Sequence, residues 1–317
     1  MQERKGGVKI YGLIGYPVKH SLSAKMHNAA FKELGIDARY HLFEVASEKL
    51  KSFLVDPDAR FNDINGQSFR AGDVVGFNIT IPHKVEARKI LEEEFPFEVG
   101  DMPQVDLYYV KLSGAVNTVR RDGSELKYCN TDATGFRWSL KTDLEFDIKK
   151  EKTVLIIGCG GAARAIIASL SWKDYNIKKI YVYEVNDKAI ESAKEHFSKL
   201  SDEWQRILAE KFEFVLVDQI SSKINECQLL VNATPVGMKE GDPSVIDKKL
   251  LHEGLSVYDV VYNKETQLIK DAKSLGLPAK IGDGMLLYQG VDAFNFWTGE
   301  RAPVKIMREA LDVALKA

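Results

Sequence analysis

The chain has 317 residues, 45% of them hydrophobic and 28% charged, with a formal net charge of −2. That length suits two domains with sizeable cores, and the even charge balance excludes the basic field of a nucleic-acid-binding protein. Cys129, Cys159 and Cys227 lie far apart, which excludes a disulfide framework or a CxxC zinc site, and no eighteen-residue apolar run marks a membrane span.

Taken from the N-terminus, the apolar run in "MQERKGGVKIYGLIGYP" is too short for a signal peptide, so the expected location is the cytoplasm. A strand is expected at 9–15 ("KIYGLIG"). It leads into "YPVKHSLSAKMH", where Ser21 and Ser23 stand at the start of a helix over 23–35. Hydroxyls and free amides at a helix start can hold a carboxylate, although either serine can also serve as a plain cap. His20 and His27 can share a face of that helix but have no acidic partners beside them, so no metal site is expected. A second strand is read at 38–45 ("ARYHLFEV"). The polar stretch 56–73 reads as a loop.

At 74–81 ("VVGFNITI") a strand displays Asn78 and Thr80, and a turn through Pro82 leads to Lys84 and a helix over 83–95. Residues 95–110 read as an irregular insertion. "GAVNTV" (114–119) carries Asn117 after a small-residue turn, and "CNTDATGF" (129–136) puts Asp132 before a helical run. Each has an ordinary reading: a solvated lysine, an Asx-turn, a helix cap. Strand–helix alternation implies a mostly parallel sheet covered by helices.

The second half opens with a continuous apolar strand at 153–157, then Gly-Cys-Gly-Gly-Ala-Ala at 158–163, then a helix over 161–172. In this context the glycine motif has physical meaning. Gly158 permits the tight turn, Gly160 lets a pyrophosphate approach the backbone, and Ala163 allows close helix–strand packing. The free amides over Gly161 and Ala162 attract phosphate. Further strands at 178–184, 212–218, 229–234, 255–262 and 278–284 complete a doubly wound dinucleotide-binding domain. The strand ending at Glu184 offers a carboxylate to a ribose and repels a 2′-phosphate, which favours NAD over NADP. Lys188, one turn later, can still meet a phosphate. The tail from 285 is helical, with one helix ending at Gly299.

In order, "GYPVKHSLSAKMHN", "GFNITIPHK", "GAVNTV", "NTDATGF", "GCGGAARA", "NATPVGM", "YDVVYN" and "GDGMLLYQGVDAFNFWTG" resemble the motifs of the shikimate dehydrogenase family, including its quinate/shikimate dehydrogenase branch. The resemblance spans nearly the whole chain. It implies an α/β architecture: an N-terminal α/β substrate domain (1–131 and 284–317) and a Rossmann-like NAD(P)-binding domain (132–283), with the active site in the cleft between them. It implies interconversion of 3-dehydroshikimate and shikimate with NAD or NADP, with quinate as the alternative substrate. By position it makes Ser21 and Ser23 the carboxylate-binding pair, and Asn78, Thr80, Asn117 and Gln289 the contacts to the ring. Lys84 and Asp132 become the acid–base pair. Tyr262 and Met285 line the nicotinamide end, and Thr234 and Val236 the loop beneath the cofactor. The expected partner is a small molecule, with neither nucleic acid nor membrane, for a monomer or homodimer.

Three departures from the family pattern stand out. Lys264 occupies a position where the family has proline. Tyr183-Glu184-Val185 replaces the Asn-Arg-Thr-type end of NADP-preferring members. The first domain is longer by the segments 56–73 and 95–110. The serine pair favours shikimate and Glu184 the NAD-using branch, and a dual-substrate enzyme reconciles them. The rival readings are a regulator that has lost turnover, against which Lys84 and Asp132 argue, and a dehydrogenase of an amino analogue, for which a changed ring contact would be expected.

Overall fold

In the computed structural model, which describes residues 7–97 and 104–316, the chain divides into two compact units. One comprises Met1–Val110, Ala115–Thr131 and Gln289–Ala317; the other comprises Lys111–Gly114 and Asp132–Tyr288. Both are α/β.

The first unit is built on a five-stranded sheet. Its strands are β1 (Lys9–Gly15), β2 (Ala38–Glu44), β5 (Val74–Ile79), β6 (Thr118–Asp122) and β7 (Glu125–Cys129), in the order β2-β1-β5-β6-β7. A separate hairpin pairs β3 (Arg60–Asn62) with β4 (Ser68–Arg70). The helices are α1 (Ser23–Glu33), α2 (Leu50–Val55), α3 (Lys84–Glu94), α4 (Gln104–Ser113, up to Val110), α11 (Asp283–Thr298, from Gln289) and α12 (Val304–Leu315). Ile14, Phe43, Phe53, Phe77 and Val119 fill one core between sheet and helices.

Three sequence expectations need correction here. The sheet is mixed: β1 pairs in parallel with β2 and β5, whereas β5–β6 and β6–β7 are antiparallel. The hairpin β6–β7 turns at Gly123-Ser124, between the paired Asp122 and Glu125, and Gly123 takes a φ of +66°, glycine at the first turn position being what a two-residue hairpin favours. The stretch 56–73, read as a loop, contains the β3–β4 hairpin. Only Phe61 and Phe69 point it inward, against Phe53 (4.9 Å between ring centres) and Phe43 (5.6 Å), so one apolar residue per strand left almost no alternation to read. Of the supposed irregular insertion 95–110, residues 104–110 belong to α4, and residues 98–103 lie outside the described residues.

The second unit has six parallel strands: β8 (Lys152–Ile157), β9 (Ile177–Tyr183), β10 (Phe212–Phe214), β11 (Leu229–Asn232), β12 (Ser256–Asp259) and β13 (Ala279–Ile281). Their order, β10-β9-β8-β11-β12-β13, is the doubly wound order of a dinucleotide-binding sheet, reversing direction beside β8. The helices are α5 (Thr131–Thr142), α6 (Gly161–Leu170), α7 (Asp187–Ser198), α8 (Asp202–Lys211), α9 (Ile220–Ile224) and α10 (Gln267–Ser274). β8 and β11 are buried throughout or nearly so, as strands covered on both faces must be. β10 is shorter than the strand expected at 212–218, because a short 3₁₀ turn takes over at Val217–Gln219.

Candidate active site

In the first unit the predicted residues gather where β1 and β5 end and β6 begins. Gly15 closes β1. A Cβ there would lie 2.3 Å from Thr80 Cγ2, so glycine is required for the two strand ends to approach. The Thr80 amide donates to Ile14 O (2.9 Å), and His83 N donates back to Thr80 O (3.0 Å). That turn delivers Lys84 to the first position of α3, half-buried, with its carbonyl accepting from Val116 N (3.0 Å). Ser21 Oγ accepts from Ser23 N (3.3 Å) and lies 3.2 Å from Ser23 Oγ. Helix α1 has neither a capping side chain nor an acidic residue in its first turn, which leaves its N-terminal amides attractive to an anion.

Asn78 and Asn117 are buried and joined. Asn78 Nδ2 donates to Asn117 O (3.2 Å) and to Thr118 Oγ1 (3.0 Å), while its Oδ1 accepts from the Tyr40 hydroxyl (2.8 Å). Asn117 Oδ1 accepts from Thr131 N (2.7 Å). Its Nδ2 donates to Thr131 Oγ1 (3.0 Å) and lies 3.5 Å from Gln289 Oε1. Five predicted side chains, those of Ser21, Ser23, Asn78, Asn117 and Gln289, thus belong with Thr80 and Lys84 to one unit.

Sequence reading missed Tyr40, Thr118 and Thr131 in this network. Tyr40 looked like one more apolar residue of a strand. Thr131 lay inside a motif already singled out for Asp132. Burial raises the Tyr40 hydroxyl well above its ordinary pKa, opposed by a bond from Ser23, so Tyr40 stays protonated.

The second unit carries the remaining predicted residues. Gly158 has a φ of +103°, and a Cβ on it would meet Thr234 Cγ2 at 2.9 Å and Ala233 O at 3.1 Å. Gly160 precedes α6 and is exposed, with nothing near the place of a Cβ. Gly161 and Ala162 are half-buried at the start of α6, and Ala163 is fully buried against the sheet. This cradle of backbone without side chains, opening a helix, fits a pyrophosphate.

Glu184 borders it: Oε2 accepts from Cys159 N (2.8 Å), and Oε1 from Val185 N and Asn186 N (2.8 Å each). The sequence pattern also passed over Arg164, whose Nε donates to Cys159 O (3.3 Å) and whose Nη2 donates to Ser192 Oγ (3.1 Å). Burial pushes the Cys159 thiol up to about 11, so it stays a thiol.

Thr234 and Val236 sit on a locked loop. Asn232 Oδ1 accepts from Thr234 N (3.1 Å) and Thr234 Oγ1 (2.7 Å), and its Nδ2 donates to Val236 O and Asp259 Oδ1 (3.0 Å each). Asp259 Oδ2 accepts from Thr266 Oγ1 (2.6 Å). Tyr262 is half-buried just after β12, Met285 is buried on the first turn of α11, and Asp132 is buried on the first turn of α5. Among the described residues no group of three or more His, Cys, Asp or Glu is placed to hold a metal, and no helix is long and apolar enough to cross a membrane.

Comparison with known proteins bears on both units. Residues 13–96 match the model of the shikimate dehydrogenase substrate binding domain, and residues 282–311 that of the shikimate 5′-dehydrogenase C-terminal domain. The chain is 37% identical to a shikimate dehydrogenase (NADP(+)) of Methanobrevibacter smithii, covering 96% of this chain and 97% of that one. It is 38% identical to the protein of the same name from Methanopyrus kandleri, over 95% and 94%. Among solved structures, a shikimate dehydrogenase in complex with NADP+ superposes with a TM-score of 0.76 at 33% identity, covering 99% of each chain. The Listeria monocytogenes shikimate 5-dehydrogenase in complex with shikimate and NAD gives 0.75 at 32%, over 98% and 99%. Relation at this level, sustained across nearly the full length of each partner, makes the chain a member of the shikimate dehydrogenase family.

Proposed function

We propose that this protein is an oxidoreductase that interconverts 3-dehydroshikimate and shikimate, with the first unit holding the acid and the second a nicotinamide dinucleotide. The observation that carries this reading is the shelf of amides and hydroxyls from Ser21 to Gln289 in one unit, in a chain whose other unit holds a bare glycine cradle. Amide and hydroxyl groups each donate and accept, which suits a polyhydroxy acid. When bound, the cofactor supplies or takes the hydride.

The chain's own residues manage position and the proton. Ser21, Ser23 and the start of α1 hold the carboxylate. Asn78, Thr80, Asn117 and Gln289 orient the ring, and Tyr262 and Met285 are assigned to the nicotinamide end. Lys84 and Asp132 form the acid–base pair: the reacting hydroxyl gives its proton to the pair in oxidation, and the pair returns it to the alkoxide in reduction. Gly158, Gly160, Gly161, Ala162 and Ala163 bind the pyrophosphate, with Thr234 and Val236 lying beneath the cofactor.

Relatives carry NADP in their names, and neighbours have been solved with NADP+ and with NAD. For this chain we read Glu184 as favouring NAD. Three backbone amides already occupy its carboxylate, a remaining lone pair can accept from a ribose hydroxyl, and a 2′-phosphate would meet its negative charge. The same reading makes the protein cytoplasmic, acting as a monomer or homodimer.

Initial rates with shikimate or quinate, each with NAD or NADP, test all of this. Shikimate oxidation with NAD at least as efficient as with NADP is expected. Activity with NADP alone would remove the role given to Glu184, and quinate as the better substrate would move the protein to the quinate branch.

A further inference from the structure

The buried hydroxyl of Tyr40 is used by nothing in the chemistry above, yet it sits between two groups that are. Its Oη donates to Asn78 Oδ1 at 2.8 Å, beside the Ser23 side chain. Tyr40 lies on β2, and its backbone is clamped on both sides by Asn28, with Asn28 Oδ1 accepting from Tyr40 N (2.8 Å) and Asn28 Nδ2 donating to Tyr40 O (3.1 Å). Its ring is stacked on His27, 4.6 Å between centres and 12° between planes. The phenol is therefore held as rigidly as the sheet itself.

A terminal amide can turn over, exchanging its oxygen for its nitrogen, unless its partners forbid it. Around Asn78 they do. Both Nδ2 hydrogens have acceptors, Asn117 O and Thr118 Oγ1, and the oxygen has a donor in Tyr40. The free capacity of Asn78 is then one lone pair on Oδ1, so it meets the substrate as an acceptor. Without the Tyr40 proton, nothing on that side distinguishes oxygen from nitrogen. Resting on the function proposed above, we infer that Tyr40 is a positioning residue for shikimate. It fixes the orientation of the Asn78 amide, so that the ring-holding part of the shelf keeps one geometry.

Tyr40→Phe removes one oxygen and keeps the ring on His27. The KM for shikimate should rise about tenfold, the loss of one well-placed buried hydrogen bond, while the KM for the cofactor stays within about twofold and the urea midpoint barely moves. In an Asn78→Ala background the same change should add little to the KM for shikimate, because Tyr40 acts through Asn78. A readout that needs no substrate accompanies these: the side-chain ¹⁵N amide signals of Asn78, identified by their loss in Asn78→Ala, should shift and exchange faster in Tyr40→Phe.

Equal rises in both KM values, or full additivity with Asn78→Ala, would make Tyr40 a packing residue only and overturn the inference. An Asn78 amide that does not respond would overturn it whether or not the protein oxidises shikimate. Failure of the unaltered protein to oxidise shikimate is a separate result, and it overturns the proposed function.

Discussion

A lysine at the first position of α3 has an ordinary explanation as a solvated residue, and a direct test separates that from a role in proton transfer. Lys84→Ala should lower kcat by about 10²–10⁴-fold, the range for loss of a general acid–base group. Cofactor affinity, read by fluorescence titration, should stay near normal. A normal kcat would take Lys84 out of the chemistry. At the other unit, Glu184→Ala should weaken NAD more than NADP, measured as the ratio of the two KM values. Equal losses would mean the carboxylate serves only to brace the Cys159, Val185 and Asn186 amides. The residues that sequence reasoning singled out are those whose chemistry shows in their identity: serine before a helix, glycine after a buried strand, lysine past a proline. Tyr40, Thr118 and Thr131 could not be found that way. Their importance lies in which partner each faces, and the partners are 13 to 40 residues away in the chain.

Among the elements, the long covered strands and their helices were legible because burial on one or both faces forces a strong pattern. The short hairpin β3–β4 and the β6–β7 pair were not. The first has one inward residue per strand. The second has three charged residues, Arg120, Arg121 and Asp122, in its first strand, which blurs the alternation. The loop 232–237 shows a different kind of hidden order. Its backbone is held by Asn232, which is held by Asp259, which is held by Thr266. Asp259 is fully buried, and burial raises its pKa while the bond from Thr266 opposes that rise. Thr266→Val should therefore cost about 2–3 kcal/mol by leaving a buried carboxylate short of a donor and α10 without its cap. Thr266→Ser should recover most of it. Urea midpoints for the three proteins check this, and a Val variant as stable as the parent would show the loop to be held by packing instead.

For the molecule as a whole, the pH dependence of stability has an identifiable contributor. His27 is completely buried, has no hydrogen-bond partner on either ring nitrogen among the described residues, and its pKa is lowered by burial from 6.5 to about 3. The folded protein thus keeps the ring neutral where the unfolded chain would protonate it. Stability from this residue is fully present above the unfolded value and is lost as pH falls from 6.5 towards 3. Between pH 7 and pH 5 the loss should be about 2 kcal/mol. His27→Leu should flatten the stability profile over that interval by about the same amount, as read from urea unfolding at the two pH values, and an unchanged slope would place the titration elsewhere. The α/β class and the doubly wound sheet followed from strand–helix alternation, but the mixed character of the first sheet did not, because alternation says nothing about the direction in which neighbouring strands run.

The first unit is assembled from pieces far apart in the chain, one of them from beyond residue 288. Trp297 donates to Val119 O (2.8 Å) and lies 5.4 Å from the Tyr11 ring, Phe294 packs on Phe31 at 5.2 Å, and Arg120 Nη1 donates to Phe296 O (2.8 Å). During synthesis, then, the ribosome delivers β1, β2 and β5 first, but these wait with Tyr11 and Phe31 uncovered until residues beyond 288 emerge. The second unit, made almost wholly of the stretch 132–288, is complete earlier and is free to fold first, against the usual N-terminal-first order. Nascent chains stalled just after residue 288 has left the ribosome should resist protease in the second unit while remaining cleavable in the first, and the early, waiting strands are where a chaperone would be needed.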